Sequence, residues 1–427
     1  MNNIITINFK QYSLLHIGFK MKRKINIYYL STLCSPNVID FIFKTSREKP
    51  GLAVQKFHRL LVEGLASIDE IKIETLSTLP VVFKSHKKLF WNIDSQTVGN
   101  VKYHYIPIVN FPYIKNTIVF LYTFFKLLFA GLLKNNKQKV VICDILNLSV
   151  SSSALLACKI TNTKIVTIVT DLPGLMLSNS KKEKSVYTML ASKIITGFDG
   201  YILLTQQMNE VVNPKNKPYI IMEGLVDVKM GKTQNQITLK DNNRIIIYAG
   251  GLYEKYGIKT LIEAFMKLKE SDLRLYLFGS GDMETQIDTY SNIDNRIVFF
   301  GVVPNQEVVD MQLKATLLVN PRPTTEEFTK FSFPSKNMEY MVSGTPLVTT
   351  NLPGMPDEYR KYVFLFNDEC TEGMYHSLKT ILSKSKEELH EFGLKAKEFV
   401  LKEKSNYRQS QRIANYINEN FNKKNHK

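Results

Sequence analysis

The chain has 427 residues, of which 44% are hydrophobic and 22% charged. Those values exclude a disordered or fibrous protein and allow more than one packed core. The net charge of +17 is unevenly placed: up to Met222, 28 Lys and Arg face 12 Asp and Glu, whereas from Glu223 onward the counts are 28 and 27. The first half therefore points to an anionic partner, nucleic acid or an acidic membrane surface, although a lysine-rich genome would leave the same excess. Cys34, Cys143, Cys158 and Cys370 are scattered with no CxxC pair. This excludes a cysteine zinc site and reads as reduced, buried thiols of a cytosolic protein.

In chain order, residues 1–21 lack the apolar core and cleavage site of a signal peptide and form an expected N-terminal extension. Strands are expected at 25–30, 139–143, 164–169 and 201–205, with helical patterns at 52–66, 116–134, 150–160 and 185–196. The polar stretch "KMGKTQNQITLKDNN" (229–243) has no periodicity and reads as a linker. Beyond it, strands are expected at 244–250, 273–279, 296–301, 316–320 and 346–350, and helices at 258–270, 283–290, 305–313 and 334–343. Three helical patterns close the chain at 371–384, 386–402 and 408–422. Continuous apolar strands alternating with helices predict an α/β fold of two doubly wound, Rossmann-like domains facing a cleft, residues 22–222 and 223–407. The final segment, 408–427, is expected to pack back on the first domain.

"NTIVFLYTFFKLLFAGLL" (116–133) is long and apolar, with Lys126 at its centre. A transmembrane span is possible by length, but the central lysine would cost a few kcal/mol. A core helix or one lying on a membrane surface is expected instead.

Three strand ends in the second half carry loops suited to phosphate: Gly250 and Gly251, then Gly279 and Ser280, then a loop beginning with Arg322. Glycine there lets backbone approach a ligand, though neither glycine loop has Walker or dinucleotide spacing. "FPSKNMEYMVSG" opens a helix with Pro334, Ser335 and Lys336 and ends it at Gly344. A cation in the first turn opposes the helix dipole. Lys336 and Glu339 share a face, and two readings remain open: a solvent-exposed pair worth little, or a site where the helix end and Lys336 meet a diphosphate and Glu339 accepts a ribose diol.

The second half resembles family 4 of the retaining glycosyltransferases, which have the GT-B fold. "SFPSKNMEYMVSGTPLV", "YAGGLYEKYGIKTLIEAF", "RIVFFGVVPNQEVVDMQLKATLLVNP", "IIMEGLVD" and "VTDLP" are similar to that family's motifs, within a likeness spanning roughly residues 22–425. The branch it looks most like builds capsular, exopolysaccharide or O-antigen units. The resemblance implies a nucleotide-sugar donor, a glycan or polyprenyl-diphosphate-linked acceptor, an acceptor-binding first domain and a donor-binding second one. It implies transfer with retention and without a metal cofactor. It also implies a cytoplasmic protein, peripheral on the anionic inner face of the membrane, with no nucleic-acid partner.

Two departures from the family pattern stand out. The family's first glutamate falls on Phe331, and its loop cations fall on Gly251 and Tyr256. The resemblance therefore assigns Glu339 to the ribose and Asp171 to the acceptor or sugar, while Arg322 and Lys336, the nearest cations in sequence, are expected to replace the missing ones at the leaving diphosphate. Gly250, Gly251, Gly279, Ser280, Ser335 and Glu223, the last in place of the family's asparagine and facing the cleft, complete the expected donor site. The alternatives are a nucleotide-sugar 2-epimerase of the same fold, a nucleic-acid-binding protein and an inactive membrane-bound homologue. None of the seven histidines lies in a strand-end loop of the second half, which speaks against the epimerase.

Overall fold

The computed structural model describes residues 24–47, 52–132, 138–172 and 189–421. The expected extension 1–21, Pro173 of "VTDLP", the start of the 185–196 pattern and the end of the last helix lie outside the described residues.

Two open sheets form the molecule. The first contains β1 (Ile25–Ser31), β2 (Ile71–Ser77), β4 (Gln96–Val98), β5 (Val101–Tyr105), β7 (Gln138–Asp144), β8 (Lys164–Val169), β9 (Gly200–Leu203) and β10 (Tyr219–Ile221). Its strand order is β10-β9-β8-β7-β1-β2-β5-β4, parallel except for β4 against β5. A small antiparallel pair, β3 (Phe90–Trp91) with β6 (Ile108–Val109), lies apart. The second sheet contains β11 (Arg244–Ala249), β12 (Leu273–Phe278), β13 (Ile297–Gly301), β14 (Leu317–Asn320), β15 (Leu347–Thr349) and β16 (Phe364–Leu365). It is wholly parallel in the order β13-β12-β11-β14-β15-β16. That is the doubly wound order, with its switch point between β11 and β14, where ligands bind beyond the strand ends. In the first sheet the corresponding reversal lies between β1 and β7.

The first-domain helices are α1 (Pro36–Thr45), α2 (Leu52–Ala66), α3 (Ile114–Leu132), α4 (Leu148–Thr161) and α5 (Gln206–Val212). The second domain has α6 (Ile258–Lys267), α7 (Glu284–Ile293), α8 (Asn305–Lys314), α9 (Ser335–Ser343), α10 (Thr371–Leu382) and α11 (Lys386–Glu403). Last comes α12 (Asn406–Phe421). It returns to the first domain, where Ile413, Tyr416 and Ile417 join the core with Leu61 and Leu65 of α2. The Tyr416 hydroxyl accepts from the Tyr201 amide at 3.1 Å and donates to the Pro218 carbonyl at 2.8 Å, fixing the helix against β9 and β10.

Several elements escaped the sequence reading. β2 ("IKIETLS") and β5 ("VKYHY") break their apolar runs with Lys72, Glu74 and Lys102, so a search for continuous apolar strands passes over them. The expected linker is also ordered. It holds two short 3-10 turns, and buried Asn235 donates to the Ser343 carbonyl (3.0 Å) and the Thr345 hydroxyl (2.9 Å), pinning it to the end of α9. Of the cysteines, Cys34, Cys143 and Cys158 are buried but Cys370 is exposed. Its thiol caps α10 by accepting from the Gly373 amide at 3.4 Å, a polar task that keeps it at the surface.

Candidate functional site

The site grows from the switch point of the second sheet. α9 begins just beyond it, and two tethers hold the helix there. Asn337 accepts from Asn320, the last residue of β14, at 2.7 Å. The Tyr340 hydroxyl accepts from the Ala249 amide, at the end of β11, at 2.7 Å and returns a bond to that residue's carbonyl. Pro334 is the N-cap, with extended backbone and no capping side chain, and Gly344 ends the helix at φ +80°. Ser335 is exposed at the open N-terminus, whose amides and dipole favour an anion.

Lys336 reaches back over β11. Its ammonium donates to the Tyr248 hydroxyl at 2.8 Å and lies 4.2 Å from the centre of that ring. Tyr248 in turn donates to the Gly251 carbonyl at 2.7 Å. Gly250 makes room for this: its φ is +151°, and a β-carbon there would stand 1.8 Å from the Lys336 ammonium. Gly279, at φ +123°, lets its own loop close to within contact of the Gly250 carbonyl, which a β-carbon would meet at 1.9 Å. Ser280 is exposed beside it and its carbonyl accepts from the Leu252 amide at 2.9 Å.

Arg322 follows β14. Its guanidinium carbon lies 4.6 Å from the Tyr256 ring centre and 5.3 Å from that of Phe328, and its buried Nε has no hydrogen-bond partner. Among the described residues neither Arg322 nor Lys336 is in an ion pair. Burial and then the charge of Arg322 push the Lys336 ammonium down from 10.5 to about 7, while Glu339 pulls it back. Burial likewise lowers Arg322, opposed by Tyr256, Tyr248 and Asp171. Two partly buried cations, with no ion pair among the described residues and only Glu339 and Asp171 acting on them from farther off, are left short of anionic charge.

Glu339 lies one turn along α9 and is bound across the cleft by Lys56 of α2, at 2.5 Å, with both side chains about two-fifths exposed. The Lys336–Glu339 pair expected from spacing does not form, because Lys336 turns inward onto Tyr248. On the opposite wall Asp171 follows β8. Burial and the charge of Asp144 raise its carboxyl to about 6, and Arg322 opposes the shift. Behind it is a buried series: Tyr29 bonds His58 Nδ1 at 2.6 Å, and His58 Nε2 lies 3.4 Å from Asp144.

Glu223 does not face the cleft. It is 3% exposed, pairs with Lys404 and accepts from the Tyr359 hydroxyl at 2.7 Å, so its carboxylate is committed to the crossover between domains. Gly251 packs against Tyr253, and Tyr256, at the other cationic position of the resemblance, supports Arg322 with its ring. Phe331 packs against the first-domain core. Tyr248, Asn337, Tyr340 and Lys56 were missed by sequence reasoning. Only Tyr340 carried a signal, one residue from Glu339 at the buried side of the helix.

Residues 230–399 match the family model described as "Glycosyl transferases group 1". An uncharacterized glycosyltransferase of Methanocaldococcus jannaschii, MJ1607, is 24% identical over 166 residues, 36% of this chain and 41% of that protein. The putative colanic acid biosynthesis glycosyl transferase WcaI of Escherichia coli K12 is 31% identical over 64 residues, 15% of this chain and 16% of that one. The matched stretches thus span less than half of either relative. Among solved structures, a sucrose-phosphate synthase of Thermosynechococcus elongatus superposes with a TM-score of 0.64 at 14% identity, over 92% of this chain and 98% of that one. HepE of Anabaena, in complex with UDP, gives 0.59 at 12% identity, over 92% and 100%. The second domain is thus similar to the glycosyl transferases of group 1, and the chain has the GT-B fold.

Proposed function

We propose that the protein is a retaining glycosyltransferase that takes a sugar from a nucleotide-sugar donor and adds it to a lipid-linked glycan of a bacterial surface polysaccharide. The observation that carries this reading is the pair of partly buried cations, Lys336 and Arg322, which act on one another at the switch point and make no ion pair among the described residues. A donor diphosphate supplies the missing charge. Glu339, once released by Lys56, accepts the ribose hydroxyls, and the backbone at Gly250, Gly251, Gly279 and Ser280 lines the nucleotide. Asp171 meets the acceptor or the sugar from the first domain.

In the reaction the bond from the anomeric carbon to the diphosphate breaks and a bond to the acceptor oxygen forms on the same face. The acceptor proton leaves with the diphosphate. Charge builds on the diphosphate as it departs, so fixed cations act more strongly in the transition state than before it. Lys336 and Arg322 fill that role in this reading, with no metal called on. The acceptor is of polyprenyl-diphosphate type, met at the anionic inner face of the cell membrane by a cytoplasmic protein.

The test is thermal melting and calorimetry with a panel of nucleoside diphosphates, then transfer assays with the matching sugar nucleotides. Stabilisation by one nucleoside diphosphate, and not by RNA or DNA, supports the reading. No stabilisation by any of them refutes it.

A further inference from the structure

The long apolar helix is not a core helix. Only 17% of its apolar window is buried. Val119, Thr123 and Leu127 form the inward stripe, at four-residue spacing. The outward stripe is Ile114, Leu121, Tyr122, Phe125, Phe129 and Leu132, all exposed. Phe125 and Phe129 stack on one another at 6.4 Å while 48% and 63% exposed. Leu156 and Ile160 of α4, which packs along α3, are exposed apolar side chains as well. A monomer in water does not ordinarily carry so large an apolar stripe without a use for it.

Charge selects the occupant. Between Ser95 and Thr170 there are eight lysines and a single acid, Asp144, which is buried. Lys126 and Lys159 stand exposed on α3 and α4. A helix with aromatic and aliphatic side chains on one face, in a stretch of chain where lysines far outnumber acids, suits the interface of an anionic bilayer rather than an acidic or neutral protein groove.

The helix is also placed with respect to the cleft. Lys115, in its first turn, donates to the Val81 and Leu79 carbonyls just beyond the end of β2, so α3 starts at the cleft end of the first sheet. Tyr113, immediately before it, is 84% exposed and held at φ +66°, a conformation costly for tyrosine.

We infer that α3, with the adjoining face of α4, lies flat in the headgroup region of an anionic membrane, its first turn setting the acceptor end of the cleft at the lipid surface. This rests on the membrane-associated reading of function, and it adds the surface that makes the contact and its orientation.

The full chain is tested by co-sedimentation with vesicles of phosphatidylcholine alone and of phosphatidylcholine mixed with phosphatidylglycerol. Wild-type protein should prefer the anionic vesicles. Phe125→Ser with Phe129→Ser should weaken that binding at least tenfold, about the effect of withdrawing two aromatic side chains from the interface. Lys126→Glu should weaken it several-fold, more at low salt. Ile293→Ser, an exposed apolar site on the second domain, should change nothing. Unaltered far-ultraviolet circular dichroism and melting show that the variants fold. Equal binding to both vesicle types, or wild-type binding by the Phe125/Phe129 variant, overturns the inference. So does light scattering that shows a dimer which the double variant dissolves while vesicle binding persists, because the stripe is then a contact between copies. A nucleoside diphosphate that still stabilises a protein unable to bind vesicles would leave the transferase reading intact.

Discussion

If Lys336 is a diphosphate ligand, binding should consume a proton. In the free protein its ammonium is pushed to about 7 by burial and by Arg322. At pH 8 about nine-tenths of the molecules therefore hold it neutral. A diphosphate beside it favours the charged form and raises its pKa again. Calorimetry of nucleoside diphosphate binding at pH 8, in buffers of different ionisation heat, should show uptake of about 0.9 proton per site. The last proton of a phosphate leaves near pH ~6, so the ligand adds little at this pH. Affinity should fall close to tenfold per pH unit above pH ~7, until the pKa of the bound state is reached. Lys336→Met should abolish both the uptake and the slope.

The same group fixes the sign of a stability effect. An unfolded Lys336 titrates near 10.5 and the folded one near 7, so between those values the unfolded chain binds more protons. Unliganded stability should then rise with pH across that window, and the cost below it is on the order of 5 kcal/mol at most. Lys336→Met should raise the melting temperature most at pH 6 to 7 and least near pH 10. A binding heat that does not depend on the buffer, with a variant that keeps the wild-type pH slope, would refute the reasoning: the lysine would then be charged in the empty cleft and its burial without consequence.

Other outcomes follow from the same geometry. Glu339→Gln should weaken nucleoside diphosphate binding by roughly 1.5–3 kcal/mol, the worth of a charge-assisted hydrogen bond, and leave inorganic pyrophosphate binding nearly unchanged in the same titration. Gly250→Ala places a β-carbon 1.8 Å from the Lys336 ammonium; it should displace the lysine and cut pyrophosphate affinity by tenfold or more, on the order of one charge-assisted contact, with circular dichroism unaltered. Glu223→Gln leaves Lys404 buried beside a neutral amide, with only half-exposed Glu358 at 2.5 Å as an acid partner. It should lower unfolding free energy by roughly 3 kcal/mol in denaturant titration.

Much of the fold was legible because parallel strands buried on both faces read as unbroken apolar runs. "KIVTIV" and "RIIIYA" are such runs, and each is a strand in place. β2 and β5 were hidden because their alternate residues are polar. Near the site, Gly250, Gly279, Arg322 and Lys336 were legible as residue types at strand ends and a helix start. Their partners were not. Tyr248, which holds Lys336, lies 88 positions away in sequence, and Lys56, which holds Glu339, lies 283 away. No local pattern encodes those pairings; they follow from how two sheets bring their strand ends together. Glu223 shows the converse error. Its place in a motif suggested the cleft, but the return of the chain at Lys404 and the Tyr359 hydroxyl claimed it.

The two walls of the cleft are held with different strengths. On the second-domain wall, α9 is bonded to β11 through Tyr340 and to β14 through Asn337, both buried, so the helix that carries Lys336 is firmly seated. Contacts between the walls are weaker. Lys56–Glu339 and Lys229–Glu63 are exposed ion pairs, and Thr205 and Gln207 add single hydrogen bonds to the Lys330 and Pro353 carbonyls. Each is worth on the order of 1 kcal/mol or less. The crossover, by contrast, is sealed: the Val226 amide donates to the Lys404 carbonyl and the Val226 carbonyl accepts from the Asn406 amide, tying together the two stretches of chain that pass between the domains, and Glu223 and Lys404 are buried beside them. Separation of the walls about that crossover therefore breaks these weak polar bonds and the packing of Phe331 on the first-domain core. If a ribose takes Glu339 from Lys56, as proposed, donor entry removes one of those bonds and is coupled to the freedom of the first domain.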